Sequence, residues 1–339
     1  MDFGVIFTQG QVTGDTDVVL GEILEQAEAA DDQGFSAALM QEHKYSEEYF
    51  SSPIPLSFAV AARTKRVKVG TSVALSPVYN PVVLAQDAAM LDQLSGGRLF
   101  LGLGAGYLPV DFETVGVAWD ERIKRFDEGI RIIKHAWTEP SFSFQGDIYR
   151  MENVTVIPKP FQKPAPPIHL AAWSPGGLRR AGRLGDGWIS NALMSRMTMK
   201  GMADAYRAEA AKNGRGSRVT AIRFCWPART REEAVEVFGP TSEAMARTLW
   251  RYGALTDMPE VTKDEDITID TFSKDRFIFG TPQECIESIE SFASEVGVDE
   301  FLLIFRYPTG PSHDKVMDAM RLFSDEVMPH FAGVPAAST

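Results

Sequence analysis

His43 is placed to handle a proton or an oxygen species: it follows a strand-like run, Ser36 to Met40, stands next to Glu42, and is one of five histidines. There it could serve as a general base or hold a reactive oxygen species by hydrogen bonding, or be tied structurally to Glu42 or a carbonyl. After a second such run come Gly102-Leu103-Gly104-Ala105-Gly106-Tyr107. Backbone without β-carbons lets a planar ligand approach closely, and it also suits a tight strand-to-loop bend. The run fails the dinucleotide fingerprint, which requires glycine where Tyr107 stands. Ser174-Pro175-Gly176-Gly177 precedes Leu178-Arg179-Arg180-Ala181, so a hydroxyl and backbone N–H groups would stand at a helix N-terminus. That arrangement accepts one phosphate, or acts as an ordinary N-cap. Phe7, Tyr107, Trp173 and Trp226, at strand ends, suit a flat cofactor or an apolar substrate, or are simply core, as aromatics in barrels commonly are. Asn191 and Arg306 end two further strands; Arg306 could anchor a carbonyl or an anion, or pair with an acidic loop residue. The sequence has no HExxH, no metal-spaced Cys/His cluster, no P-loop and no G-x-S-x-G elbow, so a cofactor is expected to supply the hard chemistry.

These residues need a scaffold that brings strand ends together. Eight strand-like segments occur in order: 3–7, 36–40, 67–75, 99–103, 168–172, 187–190, 219–226 and 300–306. Most are followed by a stretch of helical period, the clearest being Ile123, Phe126, Ile130, Ile133 and Trp137. Alternating β/α units call for a parallel sheet, and eight of them predict an α/β fold with a single (β/α)8 TIM barrel spanning 1–339; an open doubly wound sheet is the alternative. In such a barrel the active site forms where the carboxyl ends of the strands gather. Two stretches fall outside the repeat. Residues 141–167 follow the fourth helix as an extended insertion ending in a Pro-rich link, and 253–279, ahead of the last two β/α units, reads as an active-site lid loop.

The chain has 339 residues and a net charge of −12, which argues against nucleic acid as partner. No apolar run approaches the roughly 18 residues of a membrane span. The start of the chain shows no signal-peptide pattern, and two cysteines, Cys225 and Cys285, cannot make a disulfide framework, so a cytoplasmic location is expected.

In order along the chain, Gly34-Phe35 to Glu42-His43, Val69 to Ser72, Tyr79 to Val82, Leu91 to Arg98, Gly102 to Tyr107, Gly185 to Trp188, Gly280 to Ile286 and Leu322 to Pro329 resemble the bacterial luciferase-like flavin-dependent oxidoreductases. The resemblance implies a flavin, FMN or the deazaflavin F420, at the carboxyl end of the barrel. It implies that His43 lies near the flavin, that Ser72-Val73 forms a non-proline cis peptide behind the ring, and that Gly104, Ala105, Gly106 and Tyr107 flank the ring and its chain. Trp173 stands beside them, while Ser174, Gly176 and Gly177 grip the phosphate. Gly104 and Ala105 replace a reactive cysteine and a phosphate-contacting arginine of the light-emitting catalytic subunit, which speaks against light emission and thins the positive charge around a phosphate. The monooxygenase branch takes reduced FMN from a separate reductase and reacts it with O2 to a flavin C4a-peroxide that oxygenates a small, fairly apolar substrate. Phe7, Asn191, Trp226 and Arg306 are the expected substrate contacts. The alternatives are an F420-dependent reductase or dehydrogenase, for which Arg179, Arg180 and Arg183 would form part of a basic track, and a non-catalytic flavin-binding protein. A homodimer is implied as well.

Overall fold

The structure is a computed structural model that describes residues 1–10, 15–44, 50–251, 258 and 261–333. Eight parallel strands close on themselves: β1 (Asp2–Phe7), β2 (Ala37–Met40), β3 (Lys68–Leu75), β4 (Leu99–Gly104), β7 (Ile168–Ala171), β8 (Gly187–Ile189), β9 (Arg218–Pro227) and β11 (Glu300–Ile304), with β11 returning to β1. Neighbours pair in parallel register, as in Val5 opposite Ala38 and Leu303, with one shift between β3 and β4. This is an α/β TIM barrel, with the eight strands that the apolar runs predicted. The strands are covered inside and out, so they read as near-continuous hydrophobic runs.

The helices are set by local signals. Helix α3 (Pro81–Leu94) begins with Asn80, whose side chain accepts the Val82 N–H at 2.9 Å, and with proline in its first turn. Helix α5 (Arg122–Thr138) buries Phe126, Ile130, Ile133 and Trp137. Helix α10 (Pro282–Val296) carries a Thr281/Glu284 capping box and stops at Gly297, which takes φ 71°, a left-handed value that favours glycine. The remaining barrel helices are α1 (Thr16–Asp32), α2 (Pro53–Arg63), α6 (Pro175–Leu184), α7 (Arg196–Lys212), α8 (Arg231–Arg251) and α11 (His313–Glu326); α4 (Pro109–Glu113) and α9 (Ile269–Ser273) are single turns.

Both irregular stretches have more structure than their composition suggests. In 141–167, β5 (Phe142–Gln145) and β6 (Arg150–Val154) pair as an antiparallel hairpin. Its turn rests on the Glu128 carboxylate, which accepts the N–H groups of Asp147 at 2.8 Å and Tyr149 at 2.9 Å. Of the expected lid, 253–257 and 259–260 lie outside the described residues. Residues 261–279 are packed rather than loose: Ile267, Ile269, Phe272, Phe277 and Phe279 are buried, α9 rests on α8, and β10 (Ile278–Gly280) adds to the end of β9 opposite Cys225 to Pro227. None of 261–279 lines the cavity described below; that part of the stretch packs on α8 and the end of β9. No helix among the described residues is long and apolar enough to cross a membrane, and no group of three or more metal-ligating side chains occurs there.

Candidate active site

At the carboxyl ends of the strands lies a cavity of about 440 Å³. His43, Ser72, Val73, Gly104, Ala105, Gly106, Tyr107, Trp173, Ser174, Gly177 and Asn191 all line it. The barrel therefore brings together, from five strand ends, most of the residues singled out in the sequence.

His43 is buried, and its partner is not the adjacent Glu42. Its Nδ1 faces Asp111 Oδ2 at 3.2 Å, and Asp111 Oδ1 accepts the backbone N–H of Lys44 at 2.6 Å. A carboxylate only accepts, so the pairing assigns the Nδ1 proton to the Asp111 side and makes Nε2 the ring atom that can take a proton. Glu42 turns away, as successive residues of extended chain do. Its carboxylate accepts the Leu75 N–H at 2.7 Å and the Tyr79 hydroxyl at 2.6 Å, and it pairs with Lys44. Burial and the neighbouring Glu42 charge push the Tyr79 hydroxyl far above its ordinary pKa, so it stays a donor. The ring of Tyr107 meets His43 edge-on at 5.7 Å and Trp173 at 5.1 Å, and both aromatics remain partly exposed at the cavity mouth.

The Ser72–Val73 peptide bond is cis, and the β3–β4 register shifts between Thr71 and Ala74. Ser72 Oγ is buried in the cavity wall without a protein partner. The glycines beside it line the cavity and also serve the tight bend. A β-carbon on Gly104 would come to 2.8 Å from Val73 Cγ2, and one on Gly106, at φ 75°, to 2.6 Å from the Phe112 ring. The chain's own side chains, Val73 and Phe112, occupy the room that these missing β-carbons leave.

Ser174 caps α6, its Oγ accepting the Gly177 N–H at 3.2 Å. Pro175 has no N–H and Leu178 donates to Ser174 O, which leaves the Gly176 N–H as the unsatisfied donor of the first turn. Gly176 itself does not line the cavity. The positive charge thought to be thin here is present on Arg180, named above only for a basic track, and on Arg122, which strand-end reading passed over, both in the wall. Arg122 stacks on Trp119 at 3.7 Å, and Arg180 pairs with Asp127, which also holds Arg183 at 2.9 Å. With the dipole of α6, these guanidinium groups form the cationic end of the cavity. The lining also includes Leu193, Ile222, Phe224, Met245 and Tyr307, a largely apolar set. A flat ring with hydrogen-bonding edge atoms and one phosphate tail fits this set, with the orphan Ser72 hydroxyl toward the ring and the α6 terminus toward the tail.

Three expected substrate contacts are corrected. Phe7 is in the core, and Thr8 takes its place in the wall. Trp226 stacks on Phe238 of α8 at 5.2 Å and lines a separate groove beside α8 and α11. Arg306 donates from Nη1 to Glu22 of α1 at 2.5 Å, and its carbonyl accepts from Thr8 Oγ1 at 2.6 Å, so its charge is spent on a helix and not offered to the cavity.

A model of the family described as luciferase-like monooxygenase matches residues 1–300. The chain belongs to that family. Among curated relatives it is 33% identical over 214 residues to an FMNH(2)-dependent dimethylsulfone monooxygenase of Pseudomonas putida, covering 61% of this chain and 58% of that one. It is 31% identical over 325 residues to an F420-dependent glucose-6-phosphate dehydrogenase of Amycolatopsis mediterranei, covering 91% and 93%. Among solved structures it is similar to the monooxygenase RslO1 of Streptomyces bottropensis, with TM-score 0.82 and 28% identity over 98% of this chain and 100% of that one. This member of the luciferase-like family is an oxidoreductase, as these relatives are.

Proposed function

We propose that the chain is an FMN-dependent monooxygenase that takes reduced FMN from a separate reductase and uses O2 to oxygenate a small, largely apolar organic molecule. The carrying observation is that one cavity combines Arg122, Arg180 and the α6 terminus, suited to a single phosphate, with the His43–Asp111 pair and a largely apolar remainder of the lining. Reduced flavin, when bound, supplies the two electrons by which O2 is divided between product and water. Arg122, Arg180 and the first turn of α6 hold the phosphate, and the Ser72 hydroxyl bonds the ring edge. His43, oriented by Asp111, accepts or returns a proton through Nε2. Tyr107 and Trp173 shield the mouth from water. The substrate contacts are Asn191, Leu193, Phe224 and Tyr307.

An F420-dependent reductase or dehydrogenase is the second reading, supported by the relative that aligns over 91% of the chain. Asp127 engages Arg180 and Arg183 alike, so the same pairing bears on an FMN phosphate and on a longer anionic tail. Anaerobic titration with reduced FMN and, in parallel, F420, followed by rapid mixing with oxygen, separates the two. Tight reduced-FMN binding with an oxygen-dependent absorbance transient supports the monooxygenase. Tight F420 binding without that transient overturns it. The protein is further read as a cytoplasmic homodimer, its two described cysteines being free, and light scattering giving twice the mass of one chain is the expected result.

A further inference from the structure

We propose that Arg223 is a positioning residue for the substrate side of the cavity, acting through the main chain of Asn191. The β8–β9 ladder runs from Gly187/Arg218 to Ile189/Thr220 and then ends, because the two strands part as the barrel opens into the cavity. Ser190, Asn191, Leu193 and Ile222, the residues just past that point, all line the wall. Side chains take over the work of the missing rungs. Ser190 Oγ accepts the Ile222 N–H at 3.3 Å. Arg223 reaches back along its own strand, and its Nη1 donates both to Asn191 O at 3.0 Å and to Ile222 O at 2.6 Å, one nitrogen joining the two strands.

The guanidinium is itself held in place. Arg223 is fully buried, its Nη2 points at Met199 Sδ of α7, and its plane lies over the Phe292 ring of α10 at 4.3 Å. A planar fork packed on an aromatic face and tied at both ends has little freedom, so the carbonyl it grips has little either. From Asn191 the restraint passes on: Asn191 Oδ1 accepts the Leu193 N–H at 2.7 Å, fixing a turn that presents Leu193 to the cavity. Arg223 contacts no cavity space itself; its effect is on where Asn191 and Leu193 stand.

This rests on the proposal that an organic substrate occupies that wall, and the test separates the two. Arg223→Lys keeps the charge and loses the fork; Ser190→Ala removes the other rung with minimal change in volume. Hydrogen exchange by mass spectrometry on each full-length variant should show amide exchange in 190–194 at least tenfold faster than wild type, with the 174–184 peptides unchanged. In turnover, KM for the organic substrate should rise about tenfold or more while kcat and the affinity for reduced FMN stay within threefold. Exchange in 190–194 that matches wild type, or that rises equally across the barrel, overturns the positioning role. If wild type turns over no substrate, the monooxygenase reading fails, while the exchange result still decides the role of Arg223.

Discussion

Asp111 decides what His43 can do. An imidazole whose Nδ1 faces a buried carboxylate has one orientation and one tautomer, and so one atom for proton exchange. His43→Ala should lower substrate turnover by about 10²- to 10⁴-fold, the usual worth of a positioned acid or base, with reduced-FMN affinity kept within a few-fold. Asp111→Asn, which can offer an N–H in place of an acceptor, should cost about tenfold or more in turnover with the same affinity. Steady-state kinetics beside flavin titration checks both, and a His43→Ala enzyme as fast as wild type would remove the pair from the chemistry. His43 itself was legible in the sequence because it sits at a strand end, whereas its partner was not. Adjacency suggested Glu42, but extended backbone sends neighbours to opposite sides, and Asp111 arrives from 68 positions along the chain. Arg122 was hidden for a similar reason, since the helix it begins was recognised by its apolar stripe and not by its polar first turn.

At the scale of elements, the β3–β4 pair shows how tightly the site's floor is packed. Gly104→Ala places a methyl group 2.8 Å from Val73 Cγ2, a side chain anchored in the wall. Overpacking of this kind costs typically 1–3 kcal/mol, so thermal denaturation should shift down by several degrees, and flavin binding should weaken because Val73 must move. A variant with unchanged melting temperature and unchanged affinity would show that the floor yields freely. The glycine run was visible in the sequence, but its purpose was not. Composition says that side chains are absent without saying which neighbour uses the space. The three-residue β10 was also invisible, being too short to show a period and defined only by its partner at the end of β9. Helix α10, by contrast, has ends that Pro282 and Gly297 mark chemically.

For the molecule as a whole, pH enters through His169. It is fully buried in the barrel, stacked on Phe100 at 4.3 Å, and desolvation lowers its pKa from 6.5 to about 4. Between those values the unfolded chain binds a proton that the folded chain refuses, so stability rises with pH and is lost as pH falls from about 6.5 toward 4. The shift corresponds to about 3 kcal/mol at its full extent. Urea denaturation at pH 7 and at pH 4.5 should show this loss, and His169→Asn should flatten the difference even if it lowers stability at both; an equal slope in the variant would assign the acid sensitivity elsewhere. The closed ring that buries His169 was the most legible feature of all, because eight apolar runs alternating with helical stripes admit few topologies.

The hairpin and its Pro-rich continuation fall at the midpoint of that ring, with four barrel strands before them and four after. Ile157, 76% exposed, marks a place where the chain can be severed without entering a strand. The first piece would carry His43, Ser72, Asp111 and Arg122, and the second Ser174, Asn191, Arg223 and Tyr307. Each would own half of a binding site and no site. Produced separately, the pieces should quench flavin fluorescence only after mixing, which makes the molecule a natural candidate for a split reporter whose signal is the reassembly of the barrel.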